Sequence, residues 1–118
     1  MRQATKYIDS AKIGIEFRGG QNAQENWALV DTSDATDLWF HHGDAASCHV
    51  VARIPNAALL QDKKVKHKIA VQGALLCKQW SKYKSDRDVP IMYTTMQHVT
   101  KSDRVGAVHV ASFATLCV

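Results

Sequence analysis

The chain has few of the residues that mark disulfide-stapled, linker-rich or membrane-spanning proteins. It contains only three cysteines, Cys48, Cys77 and Cys117. Their odd number, wide spacing and lack of a C-x-x-C pair argue against a disulfide framework and against a cysteine-rich zinc site. With only two prolines and six glycines, the sequence has no linker composition. No apolar run approaches the roughly 20 residues that a membrane-spanning helix needs.

The remaining composition is ordinary for a globular protein, because 46% of the 118 residues are hydrophobic and 22% are charged. Residues 1–20 lack the apolar stretch of a secretory signal peptide, and unpaired cysteines are usual in a reducing compartment. We therefore expect one soluble domain over residues 1–118, located in the cytoplasm, with no membrane partner, no metal and no cofactor.

A formal net charge of +4 conceals an uneven distribution along the chain. Between residues 61 and 87, eight Lys and Arg residues face two Asp residues, so this segment carries +6 and the rest of the chain carries −2. A nucleic-acid-binding surface requires such local basic character, but a solvated helix face has the same composition. The candidate contacts to a nucleic-acid backbone are Lys63, Lys64, Lys68, Lys78, Lys82 and Lys101.

Hydrophobic periodicity predicts an α+β (mixed α/β) fold, in which a mostly antiparallel sheet packs with one long helix and one short helix. Asn22 followed by Glu25 predicts the cap of the short helix, which ends near Asp31. An apolar stripe predicts the long helix over residues 59–83. Alternating apolar residues predict roughly five to seven strands, among them residues 5–18 with a central turn, 38–41, 48–54, 89–94 and 109–113.

Residues 37–41, with the sequence DLWFH, concentrate the side chains that carry chemistry. Successive side chains of a strand point to opposite faces, so Asp37, Trp39 and His41 share one face of this segment. The leucine and phenylalanine between them share the other face, which we expect to join the core.

Residues 48–54 form the predicted antiparallel partner of this segment. The register that we predict places His41 opposite His49 and Asp37 opposite Arg53, whereas a shift by one residue would split the polar set between the two faces. One face of the hairpin then carries a carboxylate, a guanidinium, an indole and two imidazoles.

This polar face has three interpretations. In the first it is structural, with an Asp37–Arg53 ion pair and hydrogen-bonded histidines. In the second it is a recognition surface, on which Trp39 stacks on a base while Arg53 and the imidazoles contact phosphate. In the third it is a metal-independent ribonuclease site, in which His41 and His49 exchange protons with the substrate. A metal site is the weakest interpretation. Cys48 and His49 are adjacent in a strand, so their side chains point to opposite faces and cannot easily bind one ion.

Four motifs resemble, in order, those of the RNA-binding domain of NFACT proteins, which act in ribosome-associated quality control. The resemblance extends over about residues 6–110 and is greatest to the small stand-alone versions of the domain. Gln21 departs from the family pattern, in which arginine is common. The motifs are Gly20-Gln-Asn-Ala-Gln-Glu-Asn26, Asp37-Leu-Trp-Phe-His41, Ser47-Cys-His-Val-Val-Ala-Arg53, and Val89-Pro-Ile-Met-Tyr-Thr94 followed by His98-Val-Thr-Lys101 and Gly106.

The resemblance implies a non-catalytic module that binds structured RNA, with tRNA as the type of ligand, the ribosome as a further partner and DNA as a ligand of some small relatives. It favours the recognition interpretation for Asp37, Trp39, His41, His49 and Arg53. Two alternatives stay open: a small ribonuclease that uses His41 and His49, and an adaptor domain that docks on a protein or on the ribosome.

Overall fold

Eight strands and two α-helices make up the chain, which a computed structural model describes over residues 1–118. The α+β prediction is confirmed, because six of the strands form one antiparallel sheet that packs against a long helix and a short helix. The elements are β1 (Arg2–Ile8), β2 (Ile13–Gly19), α1 (Ala23–Thr32), β3 (Leu38–His42), β4 (Val50–Ala52), α2 (Lys63–Gln79), β5 (Pro90–Thr95), β6 (Val99–Lys101), β7 (Val108–Val110) and β8 (Ala114–Cys117).

The large sheet has the strand order β1-β2-β4-β3-β5-β8, and β6 pairs with β7 in a separate two-stranded ribbon. Strand β3 therefore lies inside the sheet, between β4 and β5. The predicted register is confirmed at Trp39, which pairs with Val51. Strand β4 is shorter than the predicted segment 48–54, and residues 109–113 divide between the end of β7 and the turn that precedes β8.

The two faces of β3 contribute to different hydrophobic clusters. Leu38 and Phe40 point into the larger cluster, which contains the buried residues of α2. Trp39 points the other way, into a smaller cluster with Leu29 of α1 and Val99 of β6. The molecule thus has three layers, with α2 on one side of the sheet and α1 with the β6–β7 ribbon on the other.

Both helices begin at a side chain that caps their free backbone N–H groups. The Asn22 side chain accepts from the Glu25 backbone N–H at 2.9 Å, which confirms the predicted cap of α1. The Asp62 carboxylate caps α2, and a separate 3-10 turn at Ala57–Gln61 precedes it. The predicted helix over 59–83 was therefore too long at both ends, because α2 ends at Gln79. Neither helix is long and apolar enough to cross a membrane.

Close packing of α2 on the sheet depends on Gly73, which sits directly over the Phe40 ring. A Cβ atom at this position would overlap the ring. Alanine is ordinarily favoured over glycine inside a helix by about 1 kcal/mol. Here the overlap outweighs that preference, since overpacking a buried site costs about 1–3 kcal/mol.

We therefore expect Gly73→Ala to lower the free energy of unfolding, measured by urea denaturation. The matched control is Gln79→Ala at an exposed position of the same helix, which should leave stability almost unchanged. Adding Phe40→Leu should recover part of the loss in Gly73→Ala, because a smaller side chain makes room for the methyl group. A stabilising effect of Gly73→Ala would show that the helix does not approach the ring this closely.

Candidate nucleic-acid interface

An open cleft with a volume of about 1110 Å³ lies between the start of α1, the end of β3 and residues 80–82 just after α2. Trp39, His41 and His49 contribute to its lining. The loop over residues 43–48 forms one wall, and residues 104–108 together with the start of α1 form another. Three members of the predicted polar face therefore border a cavity large enough for a ligand.

The backbone of His49 is held in place by the residues that surround the start of α1. Its N–H donates to the Asn26 side-chain oxygen at 3.2 Å, and its carbonyl accepts from the Gly20 N–H at 3.0 Å. A side chain at Gly20 would overlap Asn26, so glycine is required for this close approach. The sequence motif that joins Gly20 and Asn26 thus serves to position His49.

Three of the aromatic side chains that line the cleft contact one another directly. Trp39 Nε1 donates a hydrogen bond to His49 Nδ1 at 3.1 Å. The His41 ring stacks on Trp39, with ring centroids 5.7 Å apart and an angle of 4° between the planes. His41 and His49 meet edge to face, with centroids 5.0 Å apart. We call Trp39, His41 and His49 the aromatic triad.

Burial keeps both histidines of the triad uncharged near neutral pH. It lowers the pKa of His49 to about 3, and the nearby His41 contributes to the same shift. Burial also lowers the pKa of His41, although the hydrogen bond to the His42 carbonyl opposes the shift. Both rings are therefore neutral at pH 7, when neither can serve as a cationic contact to phosphate.

The predicted Asp37–Arg53 ion pair is absent. The Asp37 carboxylate is buried and accepts from the Ile54 N–H at 2.9 Å and from the Asp34 N–H at 3.0 Å. These two backbone donors satisfy the charge without a cation. Arg53 is exposed just beyond the end of β4, where its backbone N–H donates to the backbone carbonyl of Glu16 in β2. Asp37 thus has a structural role, and Arg53 does not line the cleft.

The Trp39 ring offers no free face on which a base could stack. Its side chain is only 1% exposed, because His41 covers one side and the smaller cluster surrounds the rest. His49 is 3% exposed, whereas His41 is half-buried and reaches further into the cleft. Within the triad, His41 therefore presents the most surface to a ligand.

The predicted lysine contacts do not form one surface. Lys82 lines the cleft. Lys78 donates to a backbone carbonyl at 3.1 Å, and Lys101 forms an ion pair with Asp31 at 2.8 Å while lying over the Trp27 ring. The other three lie exposed on α2, do not line the cleft, and are Lys63, Lys64 and Lys68.

Two cations of the cleft, Arg2 and Arg104, were not among the predicted contacts. With Lys82 they give the cleft three cationic side chains against one carboxylate, that of Asp44. A hydrogen bond of 2.9 Å from Trp27 Nε1 to the Ala107 carbonyl holds the segment of Arg104 against α1. Long-range packing brings both arginines to the cleft, so no local pattern in the sequence could have identified them.

Metal-ligand geometry is not found in the cleft or elsewhere. No group of three or more His, Cys, Asp or Glu side chains is arranged to hold a metal ion. His42, which directly follows His41, instead orders the loop, since its Nδ1 accepts from the Asp44 N–H at 3.0 Å and its own N–H donates to the Ser47 hydroxyl.

The lowered pKa of His49 makes stability depend on pH. In the unfolded chain His49 has its ordinary pKa of 6.5, whereas in the folded chain the value is about 3. Between these values the unfolded state binds more protons, so the free energy of unfolding falls as the pH falls from 6.5 towards 3. This group alone contributes about 1.4 kcal/mol per pH unit in that window.

Urea denaturation at several pH values in this range gives the free energy of unfolding as a function of pH. The slope of this free energy against pH should be shallower for His49→Gln than for the unchanged protein. His109→Gln removes an exposed histidine of β7 and is the matched control, whose slope should equal that of the unchanged protein. Equal slopes in all three proteins would contradict the burial of a neutral His49.

Comparison with known proteins gives a family match and a structural match. A family model described as "NFACT protein RNA binding domain" matches residues 8–112. Among solved structures, the C-terminal part of the fibronectin/fibrinogen-binding protein from Streptococcus suis superposes with a TM-score of 0.72 and 23% sequence identity. The alignment covers 88% of this chain but only 40% of that one, so it shows a shared fold alone. No curated protein matches the chain.

Proposed function

The chain belongs to the family of NFACT RNA-binding domains, and from that membership we propose that it is a non-catalytic module that binds RNA in the cleft beside the aromatic triad. The cationic lining of this cleft is the observation that carries the proposal. Arg2, Lys82 and Arg104 come from distant parts of the chain and meet around one cavity, where a single carboxylate opposes them. Such a cavity attracts a phosphate backbone.

The family resemblance extends this proposal to the ligand and its setting. We propose structured RNA as the ligand, with tRNA as the first type to test, the ribosome as a further partner and the cytoplasm as the location. DNA offers the same phosphates, so it competes for the cationic side chains. The buried members of the site, Asp37, Trp39 and His49, support the cleft, and His41 faces the RNA.

The position of the interface can be tested with two triple variants that remove the same charge. Arg2→Gln/Lys82→Gln/Arg104→Gln alters the cleft, and Lys63→Gln/Lys64→Gln/Lys68→Gln alters the exposed side of α2. Both lower the net charge by 3, so the long-range attraction to RNA changes equally. The difference between them therefore reports direct contact.

We expect the cleft variant to bind tRNA more weakly and with a salt dependence reduced by about 2–3 in the slope of log K against log [salt]. The α2 variant should keep the original slope. Fluorescence anisotropy over a range of salt concentrations measures both. If instead the salt dependence of binding is reduced in the α2 variant and unchanged in the cleft variant, the lysine-rich side of α2 is the interface. If the unchanged protein has no affinity for free RNA, the adaptor alternative is favoured.

The ribonuclease alternative requires one of two histidines to donate a proton while the other accepts one. Burial lowers the pKa of both His41 and His49, so neither ring is an imidazolium near pH 7. We therefore expect purified protein to leave tRNA intact in the presence of a chelator, as seen on a denaturing gel. Cleavage that disappears in His49→Gln but persists in His109→Gln would establish the enzyme instead.

A further inference from the structure

The hydrogen-bonding role of each nitrogen in His49 follows from its partner. An indole N–H can only donate, so His49 Nδ1, which lies 3.1 Å from Trp39 Nε1, must accept. In a neutral imidazole the proton then resides on the other nitrogen, Nε2. His49 thus offers a hydrogen-bond donor at Nε2.

His41 has the opposite arrangement. Its Nδ1 lies 2.7 Å from the His42 carbonyl oxygen, which can only accept, so Nδ1 must carry the proton. The neutral ring of His41 therefore presents a lone pair at Nε2. The two rings, 5.0 Å apart between centroids, bring a donor and an acceptor together at the floor of one cleft.

Neither Nε2 atom has a partner within the protein, since the side chains of His41 and His49 make no hydrogen bonds through these atoms. No fully enclosed side-chain nitrogen or oxygen in the molecule lacks a partner. The unpaired Nε2 of His49 must therefore reach solvent, and the solvent beside it is the cleft that it lines. A side chain that is 97% buried keeps a donor directed into the cavity, its exposed fraction being 3%.

We propose that His41 and His49 bind a ribose 2′-hydroxyl, which gives the module a preference for RNA over DNA. A hydroxyl group both donates and accepts, so it can donate to His41 Nε2 and accept from His49 Nε2. A phosphate oxygen only accepts and an ammonium group only donates, so each leaves one ring unpaired. The sugar of DNA lacks this hydroxyl. The inference rests on the proposed function, because the flanking cations hold the backbone near the pair.

The ligand itself provides the sharpest test. One hairpin RNA with an unpaired tail is compared with its fully 2′-deoxy and fully 2′-O-methyl forms. The 2′-O-methyl form keeps RNA-like sugar geometry but has no hydroxyl proton to donate to His41. We expect both altered forms to bind the unchanged protein about tenfold more weakly than RNA, because each leaves a buried polar group of the pair unpaired.

The variant His41→Phe keeps a flat ring against Trp39 but removes the acceptor. It should lower the ratio of RNA affinity to DNA affinity, because only the hydrogen bond from His49 to the hydroxyl is left, whereas the control His67→Phe on α2 should keep the original ratio. Equal binding of all three nucleic acids by the unchanged protein would overturn the hydroxyl site and leave nucleic-acid binding in place. No binding of any of them would overturn the proposed function as well.

Discussion

Burial of both faces of β3 is the constraint on which the arrangement of the cleft depends. With α2 on one side of the strand and α1 with the β6–β7 ribbon on the other, its central side chains have no contact with water. Polar groups there need internal partners, because an unpaired buried group costs about 1–3 kcal/mol. Asp37 bonds to two backbone N–H groups and Trp39 bonds to His49. Towards its end the strand presents a polar side chain, His41, to the cleft.

Alternation along β3 was enough to predict which side chains share a face and to exclude a shift by one residue, which would have exposed the apolar set. The pairing of Trp39 with Val51 was one of the registers that alternation allows, and the structure confirms it. It could not predict how deeply the polar face is buried. The same alternation of apolar and polar residues is found in a strand with one solvent-exposed face and in a strand buried on both faces. The two cases look alike when the less apolar face carries indole and imidazole groups. The cover on Trp39 comes from Leu29 and Val99, which are remote in sequence.

Helix ends show the same division between local and long-range information. The cap of α1 at Asn22 involves a neighbour only three residues away, so the sequence motif identified it. The start of α2 was placed too early, because Leu59 and Leu60 continue the apolar pattern while their backbone forms a 3-10 turn. Arg2 and Arg104 lie near opposite ends of the chain, and only the completed fold brings both to the cleft.

In the RNA-binding mode proposed above, attraction and discrimination reside in different side chains of this cleft. Arginine and lysine at the rim attract any polyanion and carry no information about the sugar. The neutral histidines add no charge, but their distinct donor and acceptor roles distinguish one ligand group from another. Burial produces that neutrality, since it lowers the pKa of His49 and His41. The packing that removes Trp39 from the surface therefore also keeps the two imidazoles uncharged, so the stability of the core and the proposed selectivity of the cleft depend on the same contacts.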